Sequence, residues 1–189
     1  GLFGALNDAE WFEGRRWVAT SLGLFRSGAD DRGRVRFQSL PWAPDEVWDL
    51  QRVGDALLVG ERKSIQLIRG DQNRHLIDSD GVFELIPSTF VPTRVLALET
   101  AAIVELEHAP DWRAGPRHDL GDVAVSTLVE LDAEHWLIGN WRGHPLLVTR
   151  SEEADGVRIA VQSLADRGMV GPADGGSSVW QLHGKTYAT

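Results

Sequence analysis

Val125 to Val148 reads VSTLVELDAEHWLIGNWRGHPLLV and holds three short β-runs separated by two turns. Ser126 to Leu131 mixes apolar and polar residues, and Asp132-Ala133-Glu134 supplies a turn. Trp136 to Gly139 is apolar and closed by a glycine, and Pro145 to Val148 follows the polar loop Asn140 to His144. Short strands joined by tight turns form an antiparallel meander. One such meander cannot bury both of its faces, so copies of it are expected elsewhere in the chain.

Copies are present. Arg16 to Phe25 ends one, Ala56 to Leu67 ends a second, Val95 to Val104 is a weaker third, and Lys185 to Thr189 begins a fifth. The small or apolar residue that closes each second strand falls at Ala19, Gly60, Leu98, Gly139 and Ala188, in steps of 41, 38, 41 and 49 residues. That is the blade length of a β-propeller. The expectation is therefore an all-β chain: about four four-stranded antiparallel blades plus a partial fifth, a segment of a larger propeller. The blades span 1–42, 43–81, 82–122 and 123–176, with 177–189 starting the next.

The chain has 189 residues, somewhat more than the ~150 of an ordinary domain. Four or five blades belong to an assembly that normally closes with more, so length and period together predict part of a longer ring. Nineteen Lys and Arg against 28 Asp and Glu give a net charge of −9, with the basic residues scattered. Nonspecific nucleic-acid binding, which needs cations gathered in a patch, is disfavoured, as is contact with an anionic membrane surface. There is no cysteine, hence no disulfide framework or thiolate chemistry. No run approaches the ~18 apolar residues of a membrane-spanning helix.

Taken in order, Gly1 to Phe12 contains an inner strand that turns at Glu13-Gly14-Arg15, and Ser27 to Gly33 is a polar turn before the outer strand Arg34 to Gln38. Pro41 to Glu46 crosses to the second blade, its two prolines fitting a loop. Val47 to Arg52, Ala56 to Gly60, Ile65 to Arg69 and Arg74 to Asp78 make that blade, with Glu61-Arg62-Lys63-Ser64 as a loop. Val82 to Ile86 opens the third, followed by an enlarged turn from Pro87 to Thr93. Val95 to His108 is rich enough in Ala, Leu and Glu for a helix, but the repeat phase and the β-branched residues favour two strands. Asp166 to Ser177 reads as a glycine-rich crossover.

These repeats resemble those of the two-component regulator propeller family. The residues that carry the likeness are Trp17-Val18-Ala19-Thr20 with Gly23-Leu24-Phe25, and Trp136-Leu137-Ile138-Gly139 preceded by Val129 to Asp132. Leu58-Val59-Gly60 with Ile65 to Ile68, and Tyr187-Ala188-Thr189, match in part. Glu61 and Asn140 depart from the pattern, where Thr is usual. The resemblance implies a sensory region of a bacterial signalling protein, coupled to an output domain such as a histidine kinase or nucleotide cyclase in the same polypeptide. It also implies a periplasmic location in preference to a cytoplasmic one, and it carries over no catalytic residues.

The residues themselves offer few chemical constellations. Asn140 to His144 joins a second to a third strand, and Trp141, Arg142 and His144 there have the chemistry to stack on and hydrogen-bond an anionic or sugar-like ligand. Arg62 and Lys63, with Trp42 and Asp45, occupy equivalent loops and complete the candidate binding face. The plainer reading is that Trp141 caps a blade edge and Arg142 is solvated. Trp48-Asp49 opens a strand, whereas the dipeptide of WD40 repeats closes one. The six histidines lack paired metal-ligand spacing, so neither a metal nor another cofactor is expected. No nucleophile elbow or oriented base is visible. Glu152-Glu153 and Asp30-Asp31 read as polar turns.

The expected role is non-catalytic recognition of a small-molecule or protein signal. Further blades, an output domain and a second copy of the chain are the partners in view. The alternatives are a propeller lyase or hydrolase and a protein-interaction scaffold.

Overall fold

A computed structural model describes residues 4–43, 45–167 and 175–188. Its strands are β1 (Leu6–Phe12), β2 (Arg15–Thr20), β3 (Gly23–Ala29), β4 (Val35–Ser39), β5 (Val47–Val53), β6 (Ala56–Glu61), β7 (Ser64–Arg69), β8 (Gln72–Asp78) and β9 (Val82–Pro87). They continue as β10 (Arg94–Glu99), β11 (Ala102–His108), β12 (Trp112–Asp119), β13 (Val125–Glu130), β14 (His135–Asn140), β15 (Gly143–Glu153), β16 (Gly156–Ser163), β17 (Val179–Leu182) and β18 (Lys185–Ala188). A 3-10 turn at Leu164–Arg167 is the one helical element among the described residues. The strands form four four-stranded antiparallel sheets of consecutive strands and one two-stranded sheet. Each four-stranded meander is a blade-like unit, and the repeat period read from the sequence is present strand by strand. The chain divides into two compact units, Gly1–Pro87 and Ser88–Thr189.

Several boundaries differ from the sequence expectation. Glu61 and Ser64 are paired strand residues, so that loop shrinks to Arg62-Lys63. Asn140 and Gly143 likewise pair, leaving Trp141-Arg142 as a two-residue turn. Glu152 and Glu153 lie in the long strand β15 opposite Val157 and Gly156, not in a turn. Backbone pairing overrides the polar composition that suggested loops: Glu152 and Glu153 are exposed, and the buried Glu61 accepts a hydrogen bond from the Ser64 hydroxyl. The glycine-rich crossover falls largely outside the described residues.

The turn chemistry explains the tight hairpins. Glu13 and Gly14 both have positive φ, 49° and 71°, as do His183 and Gly184, at 50° and 72°. Two successive residues in that region give the turn whose twist matches flanking antiparallel strands.

In the first unit, Phe12, Trp17, Ala19 and Leu24 of the first sheet pack on Val47, Leu50, Leu57, Val59 and Ile68 of the second, with Trp42 against the cluster. Inner strands β1, β5 and β13 carry a register shift at the same place, between Leu6 and Asp8, Val47 and Asp49, and Val125 and Thr127. The bulge turns a polar side chain toward the next inner strand. Asn7 donates to the Val47 carbonyl at 2.7 Å, and Asp8 accepts the Leu50 amide at 3.0 Å. Asp49 accepts the Leu85 amide at 2.6 Å. In the second unit Ser126 donates to the Ser177 carbonyl at 2.7 Å and Thr127 accepts the Val179 amide at 2.8 Å.

This crossing also explains the small residue that marks the period. A Cβ on Gly60 would lie 2.9 Å from Val82 Cγ1 and 3.0 Å from the Val82 carbonyl oxygen. One on Gly139 would lie 2.7 Å from the Ser177 carbonyl oxygen and 2.6 Å from Thr127 Oγ1. At Gly60 the next inner strand occupies the space a side chain would need, and at Gly139 Ser126 and Thr127 of its own sheet share that space with the Ser177 backbone that leads into β17. Gly139→Val should therefore cost about 3 kcal/mol in denaturant unfolding, whereas Gly143→Ala, with only an Asn140 side-chain nitrogen at 3.4 Å, should be nearly neutral.

The same latch gathers carboxyls. Burial raises the Asp49 carboxyl to about 6, with the neighbouring Asp8 adding to the shift, and burial raises Glu84 to about 7, with Asp49 contributing. An acid with a raised folded pKa binds more protons folded than unfolded, so stability falls as pH climbs from its ordinary value through the raised one. Glu84→Gln should raise the thermal midpoint at pH 8 by roughly 5 °C and change it little at pH 4. A midpoint in the variant that still falls between pH 5 and 8 as in the parent would contradict this assignment.

Candidate functional site

Strand alternation in the second unit puts Arg94, Leu96 and Leu98 of β10 on one face, opposite Glu107, Glu105 and Ile103 of β11. His118 of β12 joins them opposite Ile103. On the following sheet, Leu128 and Glu130 of β13, Trp136 and Ile138 of β14, and Val148 and Arg150 of β15 share a face. One end of each face is aliphatic and buried. The other end is charged.

Glu105, with no exposed surface, is the hub of that end. Its Oε1 accepts from Arg150 Nε at 2.8 Å and faces His118 Nε2 at 2.7 Å. Arg94 Nη1 lies 3.8 Å from Glu105 Oε2, while Arg94 Nη2 donates to the Ala133 carbonyl at 2.9 Å and pairs with Glu130 Oε1 at 3.4 Å. The Arg94 guanidinium sits 5.7 Å from the centre of the Trp136 ring. Glu130 Oε2 also accepts the Thr89 amide at 2.7 Å. Burial pushes the Glu105 carboxyl up, but the hydrogen bonds and charges of His118 and Arg150 outweigh it and hold the group below its ordinary value.

Beside this cluster lies a cavity of about 280 Å³ lined by Arg94, Glu105, Glu107, Glu134, Arg150 and Glu152, among others. Two excursions from the blade pattern wall it: the enlarged loop 88–93, which contributes Val91 and Thr93, and the extended strand β15, which contributes Arg150 and Glu152. The same rim positions in the first unit hold Arg15 and Arg26, which gather around Asp71 at 3.9 and 3.1 Å. There Asp71 is 86% exposed and the rim is solvated. In the second unit the Arg94 and Glu105 side chains are 5% and 0% exposed. Glu105 Oε2 and Arg94 Nε are buried without a hydrogen-bond partner.

The sequence-derived candidates lie elsewhere. In the first unit Asp45 and Lys63 form an ion pair at 3.4 Å, Arg62 is exposed with its amide bonded to the Glu46 carbonyl, and Trp42 is half-buried against the apolar cluster. In the second unit Trp141 is 66% exposed at the β14–β15 turn beside an exposed Arg142. The Trp141 backbone is pinned by its amide to the Ala124 carbonyl and by the close pass of Gly176. His144 is half-buried, with Nδ1 buried and without a hydrogen bond. This turn is at the opposite ends of β14 and β15 from the cavity. Sequence reading registered the long turn after Pro87, but the pattern that betrays the cluster is charge at Arg94, Glu105 and Arg150 within otherwise aliphatic strands.

Among the described residues no group of three or more His, Cys, Asp or Glu has the arrangement to hold a metal, and no helix is long and apolar enough to cross a membrane.

No protein-family model matches this chain. No curated protein matches it by sequence. Solved structures do match by fold. The extracellular domain of BT4673 from B. thetaiotaomicron, described as a one component system, aligns over 92% of this chain and 23% of its own at 12% identity, with a TM-score of 0.57. The N-terminal domain of Nup159 aligns over 95% of this chain and 54% of its own at 10% identity, with a TM-score of 0.55. A chain of the S. cerevisiae complex of Dbp5 with Nup159, Gle1, IP6 and ADP aligns over 83% and 47% at 9% identity, with a TM-score of 0.52. The fold is a β-propeller segment, and the chain spans about half or less of the structures it matches.

Because its folded value is depressed, the Glu105 carboxylate contributes stability that is present above its ordinary pKa and lost as pH falls through the folded one. Glu105→Gln should cost about 3 to 5 kcal/mol at pH 7 by stranding Arg94 and Arg150. The difference from the parent should shrink in acid unfolding below pH 4; a constant difference down to pH 2 would count against the pairing.

Proposed function

We propose that this chain is a non-catalytic recognition region of a bacterial signal-transduction protein, one that binds a small-molecule or protein signal and biases an output domain of the same polypeptide. The observation that carries the reading is the buried charged rim and its cavity in the second unit. Buried ion pairs are costly to desolvate and are often replaceable by apolar residues at no loss of stability. A charged interface bordering an open polar cavity is better suited to recognition than to holding sheets together. The sequence resemblance to two-component regulator propellers agrees with this reading, as does the likeness in fold to an extracellular domain of a one component system. Both fit a periplasmic position and a ring completed by further blades, with this chain supplying 1–42, 43–81, 82–122, 123–176 and the start at 177–189.

A second reading, protein scaffolding, is favoured by the exposed Trp141 beside Arg142, an aromatic and cationic pair of the kind that anchors protein contacts. Arg62, Lys63, Asp45, Trp42 and His144 would then serve as contact residues on their own loops.

Thermal unfolding of the complete polypeptide in fractionated metabolite pools separates the readings. A small-molecule sensor should show a higher midpoint in at least one fraction, and Arg142→Ala should leave that shift intact. Copurification of a protein lost in Trp141→Ala, with no metabolite shift, would establish scaffolding instead. Turnover of a sugar or ester would overturn both in favour of a propeller lyase or hydrolase.

A further inference from the structure

We propose that this chain associates head to tail with a second copy of itself, the β17–β18 hairpin of one copy covering the free face of the first sheet, β1–β4, of the other. Such association lies beyond the signalling reading and does not depend on it. Two exposed surfaces answer each other, and a packed contact inside the first unit shows how.

In that contact Phe12 and Trp17 of the first sheet pack with Leu57 and Ile68 of the second. Two-residue turns follow Phe12, Val53 and Leu182, so the three hairpins share one count. Phe12 and Leu182 are the last residues before the turn, and Trp17 and Tyr187 are the third after it. Strand alternation therefore puts Leu182 and Tyr187 on the face with which Phe12 and Trp17 cover a neighbour. In the β17–β18 hairpin that face is bare. Trp180, Leu182 and Tyr187 are 42, 54 and 42% exposed, with the Trp180 and Tyr187 rings stacked at 6.1 Å. Val179 and Ala188, on the opposite face, pack with Leu137.

The receiving face is bare as well. By the same count Arg16 of the first sheet stands where the second sheet has the buried Leu57. Trp11, Arg16, Ser27 and Phe37 form one row across the four strands and, with Val35, line a cavity of about 880 Å³. Trp11 is 55% and Val35 69% exposed, and the Arg16 guanidinium has no ion pair among the described residues. The aromatic face of a hairpin supplies apolar cover and a ring for that guanidinium, as Trp17 does for Arg26 at 5.4 Å. Charge matches too. Arg15, the first residue after its turn, reaches Asp71 of the β7–β8 turn at 3.9 Å. Lys185 holds the place of Arg15, and the corresponding β3–β4 turn offers the exposed Asp31. The two surfaces differ, so the contact is heterologous.

The test is sedimentation velocity of the full chain across a dilution series, for the parent, Trp11→Glu, Tyr187→Glu and an equal mixture of the two variants. The parent should associate, and each variant alone should raise the dissociation constant at least about tenfold, the loss expected of an aromatic anchor. The mixture should regain a dimer and nothing larger, because the sound sheet face of one variant meets the sound hairpin of the other. Should either variant fail to fold, Arg16→Glu or Leu182→Lys, each also at an exposed position, replaces it on the same surface. A parent that stays monomeric, or a mixture of folded variants that does, would overturn the proposal. Association lost in Trp11→Glu but kept in Tyr187→Glu would overturn it in favour of first sheets meeting each other.

Discussion

Glu105 accepts from one arginine, faces a histidine and stands near a second arginine while having no contact with solvent. A carboxylate cannot be buried in that way unless its partners are fixed, and each partner comes from a different strand: Arg94 from β10, His118 from β12 and Arg150 from β15. The register of three hairpins is thereby tied to one side chain. A slip by one residue in β15 would turn Arg150 to the other face and leave the charge uncompensated. In the first unit the equivalent contact is made by Phe12, Trp17, Leu57 and Ile68, which tolerate repacking because dispersion has no direction. The second unit has exchanged that tolerance for a contact with one satisfactory geometry.

The second constraint is the close pass of consecutive inner strands. A bulge in β1, β5 and β13 frees a polar side chain to bond the backbone of the next inner segment, and the small residue Ala19, Gly60 or Gly139 leaves room for the crossing. Gly60 against Val82 and Gly139 against Ser177 show why the period is marked by a small residue. The residue does not shape its own strand, which any β-former would satisfy. It makes room for a strand some 20 to 40 positions later in the chain.

That mechanism explains what could be read from the sequence. The crossing demands the small residue at Gly60 and Gly139, and Ala19, Leu98 and Ala188 keep the same phase, so the blade period and the strands that follow from it were legible. Strand ends were legible only where turn residues decide them, as at Glu13-Gly14 and His183-Gly184. At Glu61, Asn140 and Glu152 the polar composition suggested loops, but backbone pairing prevails: Glu152 is exposed and costs nothing to solvate, while Glu61 is buried and accepts a hydrogen bond from the Ser64 hydroxyl. The cavity was not legible. It depends on which of two faces Arg94, Glu105 and Arg150 occupy and on the long loop and long hairpin that cover them. Composition cannot distinguish such residues from solvated rim residues such as Arg15 and Arg26.

The two units answer protons in opposite senses, and the cause is the same burial. In the first, burial dominates at Asp49 and Glu84, the neighbouring carboxyls Asp8 and Asp49 add to it, and the charged form is penalised. In the second, Glu105 has no exposed surface, yet the hydrogen bonds and charges of His118 and Arg150 more than offset its desolvation. Depth alone therefore does not set the sign of a carboxyl's shift; the number of fixed donors does. A carboxylate with surplus donors is a strut. One with too few, such as the Oε2 side of Glu105, still lacks a donor. Glu105 is both at once, with Arg150 and His118 on one oxygen and no hydrogen-bond donor on the other.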